Sequence, residues 1–92
     1  MADNDEQRIA RGQRAKAMLQ DDVFREAVAT VRAQFRKTWE ASYPDQEEDR
    51  ERMYYGLQGL ALVEKSLQNF VDDATIAVNE AEKRQQREKQ KR

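Results

Sequence analysis

The chain has 92 residues with 17 Lys and Arg against 18 Asp and Glu, no His, no Cys, three Gly and one Pro. That length allows one small domain, the lack of Cys excludes disulfides and thiolate chemistry, and the lack of His removes the commonest general base and transition-metal ligand. The net charge of −1 hides an uneven spread: residues 83–92, KRQQREKQKR, carry +5, which leaves 11 basic and 17 acidic side chains, or −6, on residues 1–82.

Asn4 or Asp5 can cap a first helix over about 5–20, because each carries a short side-chain oxygen suited to a free N–H. Its apolar residues Ile9, Ala10, Ala15, Met18 and Leu19 form a weak face, and Gly12 costs about 1 kcal/mol relative to Ala. Such a helix depends on docking. Asp21-Asp22 is the next punctuation, where either residue can cap and both charges favour a helix N-terminus. A second helix is predicted over 22–41, since Phe24, Ala27, Val28, Val31, Phe35 and Trp39 recur at helical spacing. Ser42-Tyr43-Pro44-Asp45 ends it, because Pro44 cannot donate the next helical hydrogen bond and disfavours a helical Tyr43. Asp45 can cap the next helix.

The third helix is predicted over 46–82 and can continue past Lys83. Met53, Leu57, Leu60, Glu64, Leu67, Val71, Ala74, Val78 and Ala81 recur at alternating steps of four and three, one narrow stripe along its side. Acidic residues at its start and basic ones at its end both complement the helix dipole. Gly56 and Gly59 are either simple weak points or sites of close approach by the second helix. Glu64 either reaches out at the stripe's edge or specifies register, with an arginine of the first helix as its natural partner.

The short loop makes the second and third helices antiparallel neighbours, with Trp39 near Met53, Phe35 near Leu57, Val31 near Leu60 and Phe24 near Leu67. The fold class expected is all-α: an antiparallel helical hairpin with a long C-terminal helix and a short N-terminal one. It makes a single domain over 1–82 with a basic tail over 83–92. A helix over 46–83 is about 57 Å long, against a radius of gyration of about 13 Å for a compact chain of this size. An elongated hairpin is therefore expected. Its far end, Phe70, Val71, Ala74, Ile76, Val78 and Ala81, needs the first helix or a second chain, and is expected to form the contact of a homo-oligomer.

No phosphate loop, nucleophile elbow or metal pair is present, so no catalytic, cofactor or metal residues are expected. The acidic run from Asp45 to Glu51 lacks calcium-loop spacing and reads as a charged helix start. Trp39, Tyr43, Tyr54 and Tyr55 gather near the turn and read as packing there, with Tyr55 the most exposed, since the acidic neighbourhood repels phosphates. The tail is a solvated end, a nucleic-acid contact or a docking segment. Arg8, Arg11, Arg14, Lys83, Arg84, Arg87, Lys89, Lys91 and Arg92 are the candidates for contact with nucleic acid or an acidic partner. Without interleaved aromatics such nucleic-acid contact is non-specific and salt-dependent. No apolar run approaches the roughly 18 residues that span a bilayer, and Met1 to Arg14 shows no secretory pattern, so no membrane association is expected.

The segment RGQRAKAMLQDDVFREAVATVRAQFRKTW, from Arg11 to Trp39, carries an RGxRAKxxLxDxxFxEA pattern and a Trp. An acidic DRERM stretch (Asp49 to Met53) and a final amphipathic helix come after it. Together, over about residues 8–78, these resemble small helical proteins of tailed bacteriophages encoded among packaging and head-assembly genes. Asp72-Asp73-Ala74-Thr75 continues where many such proteins have a Gly-Lys turn. The resemblance implies a non-enzymatic structural or assembly component of the virion or the DNA-packaging apparatus. It would lie in the host cytoplasm or the particle, with other phage structural proteins as partners. A small DNA-binding accessory protein and an inhibitor of a host protein, the latter using an acidic body as nucleic-acid mimic, are the alternatives.

Overall fold

A computed structural model describes residues 4–90. They form three α-helices, α1 (Asp5–Gln20), α2 (Asp22–Ala41) and the long C-terminal α3 (Glu47–Gln90), and no strand is present among the described residues.

Each helix start has a local chemical cause. At α1 the Asn4 side-chain oxygen accepts from the Gln7 backbone N–H at 2.8 Å, while Gln7 Oε1 accepts from the Asn4 N–H at 3.2 Å. This reciprocal pair satisfies two groups at the helix end and assigns the cap to Asn4. At α2 the cap is Asp21, whose carboxylate accepts from the Phe24 N–H at 2.8 Å. α2 ends at Ser42, which is extended (φ −77°, ψ 147°) and returns its N–H to the Trp39 carbonyl.

Tyr43 to Gln46 then make a tight turn, with the Gln46 N–H donating to the Tyr43 carbonyl at 3.0 Å. Pro44 occupies the position in that turn which its fixed φ suits. Asp45 therefore lies inside the turn and does not cap α3. The cap position falls one residue later, at Gln46, whose carbonyl accepts from the Arg50 N–H.

α3 runs on through Gln90, so Lys83, Arg84, Arg87 and Lys89 are helical. No Gly or Pro comes after Gly59, and the Gln, Glu, Lys and Arg that fill the last turns are good helix formers. Basic side chains there also complement the dipole.

The described chain divides into two compact units. One joins α1 to the part of α3 from Ser66 onward. Its core is made of small residues: Ala15, Ala74 and Ala77 are buried, and so is Gly12. The backbones come so close that a Cβ at Gly12 would meet Ala74 Cβ and lie 2.7 Å from the Phe70 carbonyl oxygen. Gly12, a weak point by propensity, is thus the residue that admits the neighbouring helix.

The other unit spans Gln20–Lys65 and joins α2 to the first part of α3. Val28 and Met53 are its buried apolar residues. The Phe35 ring lies over Gly56, where an added Cβ would come within 2.8 Å of Phe35 Cζ, whereas Gly59 faces open space. Only the first of these two glycines makes the close approach.

Of the nine residues on the α3 stripe, Met53 and Ala74 are buried, Val78 is exposed and the other six are half-buried. Ala77, off the stripe, has no exposed surface at all.

Candidate interaction surfaces

Ion pairs clamp α1 to α3. The Arg8 guanidinium grips Asp73 in a forked contact, Nη2 to Oδ1 at 2.8 Å and Nε to Oδ2 at 3.1 Å. Two parallel N–H donors fix orientation as well as attraction. Arg8 also reaches Asp5 and Glu80, each at 3.4 Å. Its hydrogen bond to Asp73 raises the Arg8 pKa above the ordinary guanidinium value and, in return, holds the Asp73 carboxyl below the usual carboxylate range. Arg11 adds a second cation 3.6 Å from Asp73 and lies over the Phe70 ring, 4.7 Å from its centroid. Arg84 pairs with Asp5.

Three of the basic residues expected to meet phosphates or an acidic partner, Arg8, Arg11 and Arg84, therefore already face carboxylates of this chain. Arg14 is exposed and borders a groove of about 470 Å³ floored by Ala15, Met18, Leu67 and Phe70. Lys83, Arg87 and Lys89 stand exposed on the last turns of α3 with no ion pair among the described residues. Lys91 and Arg92 lie outside the described residues.

In the Gln20–Lys65 unit, Arg50 closes the turn. Its Nε donates to Ser42 Oγ at 2.8 Å, and its guanidinium lies 5.0 Å from the centre of the Trp39 ring. A cation at the C-terminus of α2 is also well placed for the helix dipole. Tyr54 and Tyr55 meet edge to face at 5.7 Å. Tyr43 is 71% and Tyr55 60% exposed, so this aromatic group packs only partly at the turn. Glu64 is half-buried and pairs with Arg32 of α2. Its partner is therefore not an arginine of α1.

No family model, curated protein or solved structure matches this chain. The reading of its surfaces rests on their chemistry.

The residues expected to join one copy to another fall into two groups. Ala74 is buried against Gly12 within the chain, and Val71 and Ala81 are half-buried. Phe70, Ile76 and Val78 are exposed. Other large apolar side chains are more exposed still, among them Val23, Leu62 and Val63. Sequence reasoning missed Ala77, Asp73 and Arg50. The signal for Asp73 lay in Arg8 and Arg11, two cations at helical spacing on an otherwise weak helix. No described helix is long and apolar enough to cross a membrane, and no group of three or more carboxylates among the described residues is arranged to hold a metal ion.

Proposed function

We propose that this chain is a non-enzymatic assembly protein of tailed-phage origin that associates with copies of itself through α3. It serves as a component of the virion or of the DNA-packaging apparatus, in the cytoplasm of the infected host and in the particle. The phage origin is supported by the pattern from Arg11 to Trp39 and its acidic DRERM companion.

One observation carries the self-association. Among the described residues no large apolar side chain is fully buried, while Val23, Leu62, Val63 and Ile76 are each more than half exposed. Burying a side chain of this size contributes about 1.5–3 kcal/mol, and the described core uses alanines for three of its five apolar members. The favourable burial still open to these residues lies between copies. Within each copy, α2 and the first part of α3 form an antiparallel hairpin. The contacts Ser42 with Arg50, Phe35 with Gly56 and Arg32 with Glu64 support it, since the α2 number falls as the α3 number rises.

Solution mass by light scattering tests the reading, on the full chain and on one ending at Glu82. A defined oligomer in both is expected, and a monomer in both refutes it. Lys83, Arg87 and Lys89, exposed and without an ion pair among the described residues, favour a second reading, a small DNA-binding accessory protein. It requires an affinity for duplex DNA that falls steeply with salt and disappears in the shortened chain.

A further inference from the structure

Within the Gln20–Lys65 unit, α2 and the first part of α3 border an open cleft of about 210 Å³ lined by Arg36, Trp39, Glu40, Tyr54 and Leu57. Trp39 and Tyr54 are both exposed there. The Gln58 amide donates to the Tyr54 hydroxyl at 2.8 Å, which steadies that ring. Trp39 already takes one guanidinium, that of Arg50, 5.0 Å from its ring centre, because the negative face of an aromatic ring attracts a cation. Glu47 and Glu51, seven and three residues before Tyr54, share its side of α3 and are exposed. With Glu40 they set three carboxylates about the aromatic pair, against one lining cation, Arg36.

A surface of opposite charge lies in the unit that joins α1 to the far part of α3. Residues 40–51 hold six acids and one base, or −5, and residues 83–92 carry +5. Lys83 and Arg87 are four residues apart, so they share one face of the last turns of α3. Both are exposed and make no ion pair among the described residues. Glu80, on the same face, is taken by Arg8, and Arg84 by Asp5. Four residues also separate Glu47 from Glu51, so each like-charged pair spans about 6 Å of helix. The carboxylates at the cleft repel phosphates, which excludes a nucleic acid as its occupant.

We infer that the basic end of α3 of a second copy docks at this cleft. The second copy's Arg87 enters between Trp39 and Tyr54 beside Glu40, and its Lys83, one turn away, meets Glu47 and Glu51. The aromatic rings cover the arginine stem, and the carboxylates set which charge is admitted. This contact joins unlike surfaces of two copies. It is separate from the apolar self-association proposed above and is an alternative to the DNA reading of the tail.

Trp39 is the one tryptophan, so its emission reports on the cleft. Emission and solution mass are followed against protein concentration, at low and high salt. Four samples are compared: the intact chain, Lys83→Glu with Arg87→Glu, Glu47→Lys with Glu51→Lys, and an equimolar mixture of the two variants. Circular dichroism checks that each remains helical, and Glu51→Lys alone replaces the pair if a lysine in the first turn of α3 unwinds its start. In the intact chain the emission is expected to shift with concentration at low salt and to lose that shift at high salt. Either variant alone sets like charges together and should need about tenfold more protein for the same shift. The mixture should recover it, because the intact tail of one variant then meets the intact turn of the other. Variants that behave as the intact chain, or a mixture that does not recover the shift, overturn the contact. An oligomeric mass with no change at Trp39 overturns it and leaves the apolar self-association standing. A monomeric mass throughout overturns both, and binding of duplex DNA by that monomer would then assign the tail to the DNA reading.

Discussion

The three glycines of this chain sit inside helices, and replacing each by Ala separates close approach from mere weakness. Helix propensity alone favours every one of these changes by about 1 kcal/mol. At Gly59 nothing lies within 4 Å of an added Cβ, so Gly59→Ala keeps the whole gain, and the melting temperature rises by about 4–8 °C. At Gly12 the new methyl would meet Ala74 Cβ and lie 2.7 Å from the Phe70 carbonyl oxygen. Both are fixed by α3, so relief requires the helices to separate. Overpacking of this kind costs about 1–3 kcal/mol, which outweighs the propensity gain and leaves Gly12→Ala less stable by about 1 kcal/mol. Gly56→Ala falls between them, because the atom it meets, Phe35 Cζ at 2.8 Å, is the tip of a side chain that can tilt. The assay is thermal and urea unfolding monitored by far-ultraviolet circular dichroism, with all variants at one protein concentration, since association makes stability concentration-dependent. If Gly12→Ala is stabilised as much as Gly59→Ala, the close docking of α1 on α3 is wrong.

The ion pairs and caps give three further expected outcomes. The folded Asp73 carboxyl is held below its ordinary pKa of 3.8 by its hydrogen bond from Arg8. Its contribution is present at neutral pH, begins to fall as the pH drops toward 3.8 and is lost as the pH passes through the lower folded value. Unfolding curves at pH 7, 4 and 3 should therefore show a loss of stability that is smaller in Asp73→Asn. Arg50→Ala removes the hydrogen bond to Ser42 and the cation over Trp39, and should cost about 1 kcal/mol. Because Trp39 is the one tryptophan, a change in its emission should accompany that loss. Asp21→Ala leaves the Phe24 N–H without its cap and should cost about 1 kcal/mol, read by the same urea titration, whereas Asp22→Ala, one residue inside α2, should cost less.

The limits of the helices were legible because local chemistry sets them. Pro44 and the Asp21-Asp22 pair interrupt the chain in ways that no packing overrides, and the only boundary shift of note is the extension of α3 through Gln90. What packs on α3 was less legible. The stripe through Leu57, Leu60 and Leu67 was visible because large apolar residues announce themselves. Ala77 is indistinguishable by type from the exposed Ala61, and it is buried in the unit that α1 forms with the far part of α3. Glu64 was visible as a polar interruption, but its partner depends on which helix lies beside it, and Arg32 of α2 takes the place assigned to α1. Arg8, Arg11 and Arg84 looked like open cations because charge was summed along the sequence. Their carboxylate partners lie as far away as Asp73 and Asp5, distant in the chain and close in the fold.

The small-residue contact between α1 and α3 reverses the ordinary hierarchy of mutational sensitivity. In most proteins the intolerant positions hold the largest side chains, and truncation finds them. Here the buried residues of the unit that α1 forms with the far part of α3 are Gly12, Ala15, Ala74 and Ala77, which an alanine scan would leave untouched or change least. The genetic vulnerability of this region runs toward bulk. A library that samples Val, Leu or Phe at these four positions would expose a constraint that truncation cannot see, and drift should be confined to exchanges among Gly, Ala and Ser at the three alanines and to Gly alone at position 12.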